Sequence, residues 1–503
     1  MSEIIRFKRE SGVVMPIFSL PSPYGIGTFG KSAYDFVDQL VKAGQRYWQI
    51  LPLGHTGFGD SPYQTFSIIA GNPFFIDLDM LVEDRILTKQ DLKAYDGKFD
   101  EEVVNYEKVS KMRSEILRIA YRNSKNDITL QSEIDQFISK NFDWLKEYAM
   151  FMAIKSHFSE KPMWEWDDSE IKRRTPEAMR RYYQLLQEDI EYYYFIQYFF
   201  FKQWYALKKY ANENGILFIG DIPMYPSPDS ADVWAHRNLF KVDENLIRKK
   251  VAGVPPDMYS ATGQLWGNPV YDWDVHKAEG YKWWLKRIEH LLDVSDVIRI
   301  DHFRALQDYW EIPGDEDTAL NGKWVPGPRM HLINAIRNSL GDVPIIAEDL
   351  GIITDDVRKL LQDTGFPGMN VLIFGINEND DSTHLPHNYK INSVGYTSTH
   401  DSETFCEAVT KASENNKDFI LDYMNYNPEK ESLGMSAIRT VWASSARIAM
   451  TMVSDILSLG EEGRINTPST IGGNWNYRLK PGQLTDELLK TLKRITILYK
   501  RNQ

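Results

Sequence analysis

Short runs of apolar residues alternate with longer amphipathic stretches along the chain, and most of these runs end in polar or glycine-rich loops. β-Branched and aromatic residues are frequent in the runs, which is typical of buried strands. Strands separated by helical stretches predict a parallel sheet in which the helices form the crossover connections. The predicted strands are residues 13–18, 46–53, 217–224, 297–303, 344–350, 371–376 and 394–401.

Seven strands, with an eighth expected after about residue 440, favour an α/β fold of the (β/α)8 TIM-barrel type. An open doubly wound sheet is the alternative. The eighth strand is not placed by the pattern, because AMTMVSDILSL (449–459) fits a strand and a helix equally well. We expect one catalytic barrel over residues 1–503, with loop subdomains around the face where its strands end.

The connection between the second and third predicted strands is far longer than one crossover needs. Within it Val109, Met112, Ile116 and Ile119 recur at spacings of three and four residues, which predicts an amphipathic helix. The most apolar piece, YYYFIQYFFF (192–201), is too short to cross a membrane and predicts a buried helix. We therefore predict a helical subdomain at 80–190, inserted between strands two and three.

Composition and charge narrow the class of protein. Hydrophobic residues make up 43% and charged residues 26%, which excludes a disordered or collagen-like chain. The sequence has neither an apolar run of about 18 residues nor the core of a signal peptide. A single cysteine, Cys406, suits a reducing compartment, and the net charge of −13 disfavours nucleic acid as a partner. We therefore expect a cytoplasmic protein that binds neither nucleic acid nor membranes.

Carboxylates stand at the ends of four predicted strands, namely Asp221, Asp301, Glu348 and Asp401. One such residue is ordinary, because aspartate often ends a strand and caps the next helix. In a barrel, however, all the carboxyl ends open on the catalytic face, so these four would converge. Like charges in one cleft cost energy, which indicates a use in metal binding or in acid, base and nucleophilic chemistry.

A magnesium or calcium site is the alternative that these carboxylates leave open. Arg299 argues against it, because this residue lies two positions before Asp301 and shares its face of the strand. A fixed guanidinium keeps a neighbouring aspartate ionised, as a carboxylate nucleophile requires. His302 and His400 adjoin two of the acids. No strand end offers a Schiff-base lysine and no glycine-rich phosphate loop follows a strand, so we expect no metal and no cofactor.

Two loops rich in glycine and aromatic residues, 55–73 and 252–273, complete the candidate site. Each fits a long surface loop with aromatic anchors. Each also fits a sugar-binding loop, because flat aromatic rings stack on the apolar faces of sugar rings. In that interpretation Tyr63 and Trp266 stack on sugars, while hydroxyl groups are bound by Asp257, Gln264 and Asn268.

Taken together, these motifs resemble glycoside hydrolase family 77 of the α-amylase superfamily, the 4-α-glucanotransferases, also called amylomaltases or disproportionating enzymes. The match runs from end to end in the order of the family and leaves no separate starch-binding module. The C-terminal region 453–470 is a loose version of the family pattern that retains Asp455, Arg464, Asn466 and Pro468. The matching stretches are SLPSPYGIGTFG (19–30), YWQILPLG (47–54), GDSPYQTFS (59–67), GDIPMY (220–225), GVPPDMYSATGQLWGNPVYDW (253–273), RIDHFRA (299–305), AEDLG (347–351), PGMNVL (367–372) and YTSTHD (396–401).

The resemblance implies a role for each matching residue. Asp301 matches the nucleophile, Glu348 the general acid and base, and Asp401 the third carboxylate, which holds sugar hydroxyls. The substrate-binding residues that accompany them are Arg299, His302, His400, Tyr63, Asp221, Asp257, Gln264, Trp266 and Asn268.

The implied reaction moves a segment of an α-1,4-glucan to the 4-hydroxyl of glucose or a maltooligosaccharide, with retention and through a covalent glucosyl-enzyme. Such a mechanism requires the carboxyl groups of the nucleophile and of the general acid and base to lie about 5–5.5 Å apart. It also leads us to expect a low pKa for Asp301 beside Arg299 and a raised pKa for Glu348. From the residues alone, an α-1,4-glucan hydrolase and a non-catalytic glycan-binding protein remain alternatives, because transfer depends on binding the acceptor and excluding water.

Overall fold

A computed structural model describes residues 7–95, 97–256 and 260–502 of the chain. The strands of the described residues are β1 (Glu10–Val14), β2 (Tyr47–Gln49), β3 (Leu217–Ile222), β4 (Lys250–Val254), β5 (Gln264–Pro269), β6 (Val297–Ile300), β7 (Asp308–Pro313), β8 (Lys323–Pro326), β9 (Ile345–Ala347), β10 (Gly368–Val371), β11 (Ser393–Tyr396) and β12 (Ile448–Met452). Eight of these strands are parallel neighbours in the order β10-β11-β12-β1-β2-β3-β6-β9.

The first and last strands of this order approach each other and nearly close a barrel. The amide of Ala347 at the end of β9 donates to the carbonyl of Pro367, just before β10, at 2.9 Å. The parallel pairing and the buried residues of every barrel strand are those of a (β/α)8 fold. The predicted fold class is therefore confirmed, and the open sheet is not found.

The eighth strand is β12, and its place explains why the pattern was ambiguous. Residues 448–452 pair with β1 and β11, and the helix Val453–Ile456 follows without a gap. Strand and helix are both buried, so one apolar run covers two kinds of structure. Similarly, β10 ends at Val371, and the run predicted as a strand at 371–376 continues as a 3₁₀ turn, Leu372–Gly375, in which all residues but Phe374 are buried.

Helices cover the outside of the barrel and fill the long connection between β2 and β3. The apolar run 192–201 lies inside α8, which ends shortly before β3 and so also forms part of the crossover. None of the helices among the described residues has both the length and the apolar character that crossing a membrane requires. The helices are α1 (Lys31–Lys42), α2 (Leu78–Glu83), α3 (Lys89–Leu92), α4 (Tyr106–Ser124), α5 (Ile128–His157), α6 (Ser169–Lys172), α7 (Pro176–Leu185), α8 (Gln187–Glu213), α9 (Ala231–Ala235), α10 (Trp273–Ala278), α11 (Lys282–Val294), α12 (Met330–Leu340), α13 (Asp355–Thr364), α14 (Phe405–Lys411), α15 (Glu414–Tyr423), α16 (Leu433–Ala443), α17 (Val453–Ile456) and α18 (Asp486–Leu498).

A second, antiparallel sheet in the order β5-β4-β7-β8 stands beside the barrel. The segment 252–273, expected as a loop, contributes parts of β4 and β5 to it. Its glycines hide the strands from pattern reading but are needed for packing. A Cβ at Gly253 would lie 2.2 Å from the carbonyl oxygen of Gln264, so only glycine allows β4 and β5 to approach there. This sheet carries Gln264 and Trp266.

Candidate active site

Arg299 on β6 joins two of the strand-end carboxylates. Its Nη1 atom lies 2.7 Å from both oxygens of Asp221 on β3 and 3.0 Å from Oδ1 of Asp301, which directly follows β6. The pairing of β3 with β6 places Asp221 opposite Arg299 in the sheet. Residues from two strands thus meet because the barrel register aligns their carboxyl ends.

Glu348 directly follows β9, and its carboxylate contacts the backbone of His302, the residue after Asp301. Its Oε2 atom accepts a hydrogen bond from the amide of His302 at 2.6 Å, and Oε1 accepts one from the amide of Leu350 at 2.8 Å. His302 has left-handed backbone angles (φ 49°, ψ 50°), which a non-glycine residue adopts at a cost. That conformation turns its amide towards Glu348 directly after Asp301.

Asp401 is connected to Asp221 through His400 and Tyr63. His400 Nε2 lies 3.0 Å from Oδ2 of Asp401 and 2.7 Å from the Tyr63 hydroxyl. The Tyr63 hydroxyl in turn donates to Oδ2 of Asp221 at 2.7 Å, and its ring stacks on that of His400 with centroids 5.6 Å apart. A continuous hydrogen-bonded chain therefore runs from Asp401 to Arg299.

Asn466 is a member of the site that the sequence prediction did not include among its site residues. Its side-chain amide donates to Oδ1 of Asp401 at 2.7 Å. Both oxygens of Asp401 thus have a partner, Asn466 on one side and His400 on the other. The only sequence signal for Asn466 is its position in the loosely matching C-terminal region.

A buried carboxylate supports the turn that presents Asp401. Asp455, in α17, accepts hydrogen bonds from the hydroxyls of Thr397 and Ser398 at 2.5 and 2.6 Å, and from the amide of Phe405 at 2.8 Å. These contacts tie both ends of the turn 397–405 to the segment after β12. The position of Asp401 is therefore fixed from the last barrel strand.

The predicted loop residues occupy different environments. Trp266 is half-buried, meets the ring of His302 edge to face at 4.8 Å, and donates its indole N–H to Oε1 of Gln264 at 3.1 Å. Asn268 is buried, and its amide binds the carbonyl of Pro226 at 2.9 Å and the side chain of Gln64 at 3.0 Å. Asp257 lies outside the described residues.

Exposure separates the carboxylates that a ligand can reach from those it cannot. The Asp401 side chain is 41% exposed and that of Asp301 25%, whereas that of Asp221 is fully covered. Asp221 therefore acts on the site through Arg299 and Tyr63.

Among the described residues, no group of three or more His, Cys, Asp or Glu side chains is arranged to hold a metal ion. The positive charge between Asp221 and Asp301 belongs to Arg299.

The pKa values of the two central acids both shift upwards. Burial raises the pKa of Asp301 to about 8, Arg299 partly offsets this, and the charges of Asp221, Glu348 and Asp401 add to it. Burial also raises the pKa of Glu348, as expected. The low pKa expected for Asp301 is wrong, because burial outweighs the charge of Arg299, which is shared with Asp221, and further carboxylates surround the pair.

The pKa values of Asp401, His400 and His302 do not all shift in the same direction. The partial removal of the Asp401 carboxylate from water would raise its pKa, but His400, Asn466 and Arg299 outweigh this and lower the value to about 2. Burial lowers the pKa of His400, yet the charge and hydrogen bond of Asp401 bring it above its ordinary value. Burial, helped by Arg304, lowers the pKa of His302 to about 4. The site thus combines an ionised Asp401 with a neutral His302 at neutral pH.

Comparison with known proteins identifies the family. The family model for glycoside hydrolase 77, described as 4-alpha-glucanotransferase, matches residues 15–485. The 4-alpha-glucanotransferase of Streptococcus pneumoniae is 45% identical over 98% of both chains, and that of Clostridium butyricum is 45% identical over 97% of this chain and 100% of its own. Amylomaltase from Streptococcus agalactiae, solved in complex with acarbose, has a TM-score of 0.96 and 43% identity, covering 98% of this chain and 100% of that one. The chain therefore belongs to the 4-alpha-glucanotransferase family, glycoside hydrolase 77.

Proposed function

We propose that Asp301, Glu348 and Asp401 carry out the transfer of α-1,4-glucan segments to the 4-hydroxyl of glucose or a maltooligosaccharide. As a member of its family the chain is a 4-alpha-glucanotransferase, with one glucan as donor and a second as acceptor. The observation that carries the residue assignment is the contact of Arg299 with Asp301 at 3.0 Å, directly beside the amide of His302 that binds Glu348.

In the first step Glu348 gives its proton to the glycosidic oxygen, and an Asp301 oxygen attacks the anomeric carbon. The carbon–oxygen bond to the leaving sugar breaks, and a covalent glucosyl ester of Asp301 remains. Both acids have raised pKa values and interact, so their protons belong to the pair. Arg299 contacts Asp301 and so favours the form in which Asp301 is ionised and Glu348 holds the proton.

In the second step the Glu348 carboxylate accepts the proton of the acceptor's 4-hydroxyl. The acceptor oxygen attacks the anomeric carbon, the ester bond to Asp301 breaks, and two inversions give retention. Asp401 stays ionised because its pKa is about 2. Its exposed carboxylate binds sugar hydroxyls and stabilises the positive charge that develops on the sugar ring.

The companion residues shape the site around the reacting sugar. Tyr63 is partly exposed, and its ring, backed by the buried ring of His400, offers an aromatic face for a sugar. Trp266 and Gln264 bind the glucan beside His302 and help to exclude water, while the glucan-binding role of Asp257 rests on the sequence pattern. Asp221 and Asn268 are buried and support this arrangement by positioning their neighbours.

The same proposal extends to the setting in which the enzyme works. The net charge of −13 disfavours phosphate-rich partners, and the single cysteine of the sequence suits a reducing compartment. We infer a cytoplasmic enzyme acting on oligosaccharides without a nucleic-acid or membrane partner, with a helical insertion at 80–190.

Incubation with maltotriose tests the proposed reaction. Transfer produces glucose and a ladder of shorter and longer maltooligosaccharides, because each glucosyl-enzyme is resolved by another sugar. Maltose and glucose without longer products would indicate a hydrolase. An unchanged substrate together with measurable maltotriose binding would indicate a non-catalytic glycan-binding protein.

A further inference from the structure

Asp401 belongs to a closed ring of contacts formed by Asn466, Arg464 and Glu407, here called the Asp401 clamp. Asn466 donates its side-chain amide to Asp401 at 2.7 Å. Arg464 donates its Nε hydrogen to the main-chain oxygen of Asn466 at 3.0 Å, and its Nη1 to Oε1 of Glu407 at 3.2 Å. Glu407 lies in α14, which begins four residues after Asp401 and closes the ring.

The inner end of the clamp is an ion pair that is largely hidden from solvent. The side chain of Glu407 is only 2% exposed and that of Arg464 19%. Lys411, one turn further along α14, also binds Oε1 of Glu407, at 2.6 Å. A carboxylate buried this deeply is costly unless it is paired, and Arg464 supplies one of its two cationic partners, which holds the guanidinium in place.

The segment that carries Asn466 has little regular structure of its own. A 3₁₀ turn at Glu461–Gly463 precedes it, and the amide of Trp475 donates to the carbonyl of Ile465 at 2.7 Å. The backbone of Asn466 itself is oriented by Arg464. An arginine suits this task because its planar group donates in two fixed directions at once, here to Glu407 and to Asn466.

We propose that Arg464, anchored by Glu407, is a positioning residue for the transfer reaction: it fixes Asn466 so that the Asn466 amide orients Asp401 towards the substrate. The inference rests on the proposed role of Asp401. Arg464 acts through Asn466 and does not touch the sugar. Its loss therefore lowers kcat, because Asp401 stabilises the transition state, and leaves the KM for maltotriose nearly unchanged.

The test compares Arg464→Gln, Arg464→Lys, Asn466→Ala and the double variant Arg464→Gln/Asn466→Ala with the wild type. The matched control is Arg439→Gln, which breaks the comparable Arg439–Glu431 pair between α16 and the segment before it. Initial rates on maltotriose and melting temperatures are measured for all of them. By analogy with residues that orient metal ligands, we expect Arg464→Gln to lower kcat about 10- to 100-fold.

Two comparisons separate positioning from a merely structural role. If Arg464 acts through Asn466, the double variant is no slower than Asn466→Ala alone; independent effects that multiply would overturn the proposal. Arg464→Lys keeps a positive charge beside Glu407 but lacks the Nε donor to Asn466. We therefore expect Arg464→Lys to have the melting temperature of the wild type but the lowered kcat of Arg464→Gln. Full recovery of kcat would also overturn the proposal.

Asp401→Asn separates a failure of this inference from a failure of the proposed function. A large loss of kcat in Asp401→Asn with wild-type kcat in Arg464→Gln would reject the clamp and leave the role of Asp401 intact. Wild-type kcat in Asp401→Asn would reject both the proposed role of Asp401 and the clamp that depends on it. Arg439→Gln is expected to lower the melting temperature and to keep wild-type kcat. An equal kcat loss in this control would show that any lost ion pair has the same effect.

Discussion

Arg299 Nη1 lies 3.0 Å from Oδ1 of Asp301, although the same nitrogen also lies 2.7 Å from both oxygens of Asp221. One guanidinium therefore serves two carboxylates from neighbouring strands. Its charge offsets only part of the burial of Asp301, whose pKa is raised to about 8. The proposed nucleophile is thus held in a place where its ionised form is unfavourable, which is a common cost of an active site.

This arrangement predicts that Asp301→Asn stabilises the protein at neutral and alkaline pH. The pKa of Asp301 is raised in the folded state, so its protonated form contributes stability at low pH. That contribution is lost as the pH rises from the unfolded pKa of about 4 to the folded value. The neutral asparagine avoids the loss, and the difference in melting temperature from the wild type should grow from pH 5 to pH 8.

Asp401→Asn is the control, because its expected effect on stability is opposite to that of Asp301→Asn. The pKa of Asp401 is lowered to about 2, so its ionised form stabilises the fold above the unfolded pKa. The variant should therefore be less stable than the wild type throughout the neutral range. Melting curves at several pH values measure both variants. A melting temperature of Asp301→Asn that stays at or below that of the wild type at pH 8 would contradict the proposed electrostatics.

Loss of either central acid should remove activity without unfolding the chain. We expect Asp301→Asn and Glu348→Gln to lower kcat on maltotriose by several orders of magnitude, because each variant deletes a group that forms a bond or moves a proton. Asp296→Asn is the matched control, since Asp296 stands at the opposite end of β6 and binds Lys208 at 3.1 Å. This control should lose stability and keep its rate. Near-normal rates in purified Asp301→Asn or Glu348→Gln would reject the assignment.

Chelation should leave the rate unchanged. Arg299 supplies the positive charge between Asp221 and Asp301, and Asp401 has its own partners in His400 and Asn466. We therefore expect the same initial rate on maltotriose before and after exhaustive treatment with EDTA. Loss of activity that calcium or magnesium restores would show that a cation takes part.

The fold could be predicted because every barrel strand except β12 leaves a local signal of its own. Apolar runs that end in a carboxylate mark β3, β6, β9 and the loop after β11, and barrel topology brings these ends together. The exact ends of the strands were less clear, since mostly buried turns such as Leu372–Gly375 are as apolar as the strand before them. The small sheet was missed because glycine and proline interrupt the alternation of β4 and β5.

Features that depend on distant contacts left no pattern. Asn466 meets Asp401 across 65 residues, and a single asparagine in an irregular segment gives no hint of its partner. The raised pKa of Asp301 escapes prediction for the same reason, because burial, its largest cause, arises from contacts between distant parts of the chain. The spacing of Arg299 and Asp301 shows that they share a strand face, but only the pairing of β3 with β6 shows that Asp221 takes part of the same charge.

We predict that Trp266 decides whether the glucosyl-enzyme reacts with a sugar or with water. Its indole packs edge to face on His302 at 4.8 Å and is half-buried beside Gln264. An aromatic contact with a sugar is worth about 1 kcal/mol beyond its buried area, by analogy with aromatic pairs, or about fivefold in affinity. We expect Trp266→Ala to weaken acceptor binding and to lower the ratio of transfer to hydrolysis by a similar factor, while the glucosyl-enzyme still forms.

Trp266→Phe keeps an aromatic face without the indole N–H and should retain most of the transfer. The measurement is the ratio of longer maltooligosaccharides to hydrolysis products from maltotriose, together with the melting temperature. An unchanged ratio with a lowered melting temperature in Trp266→Ala would assign this side chain to packing alone.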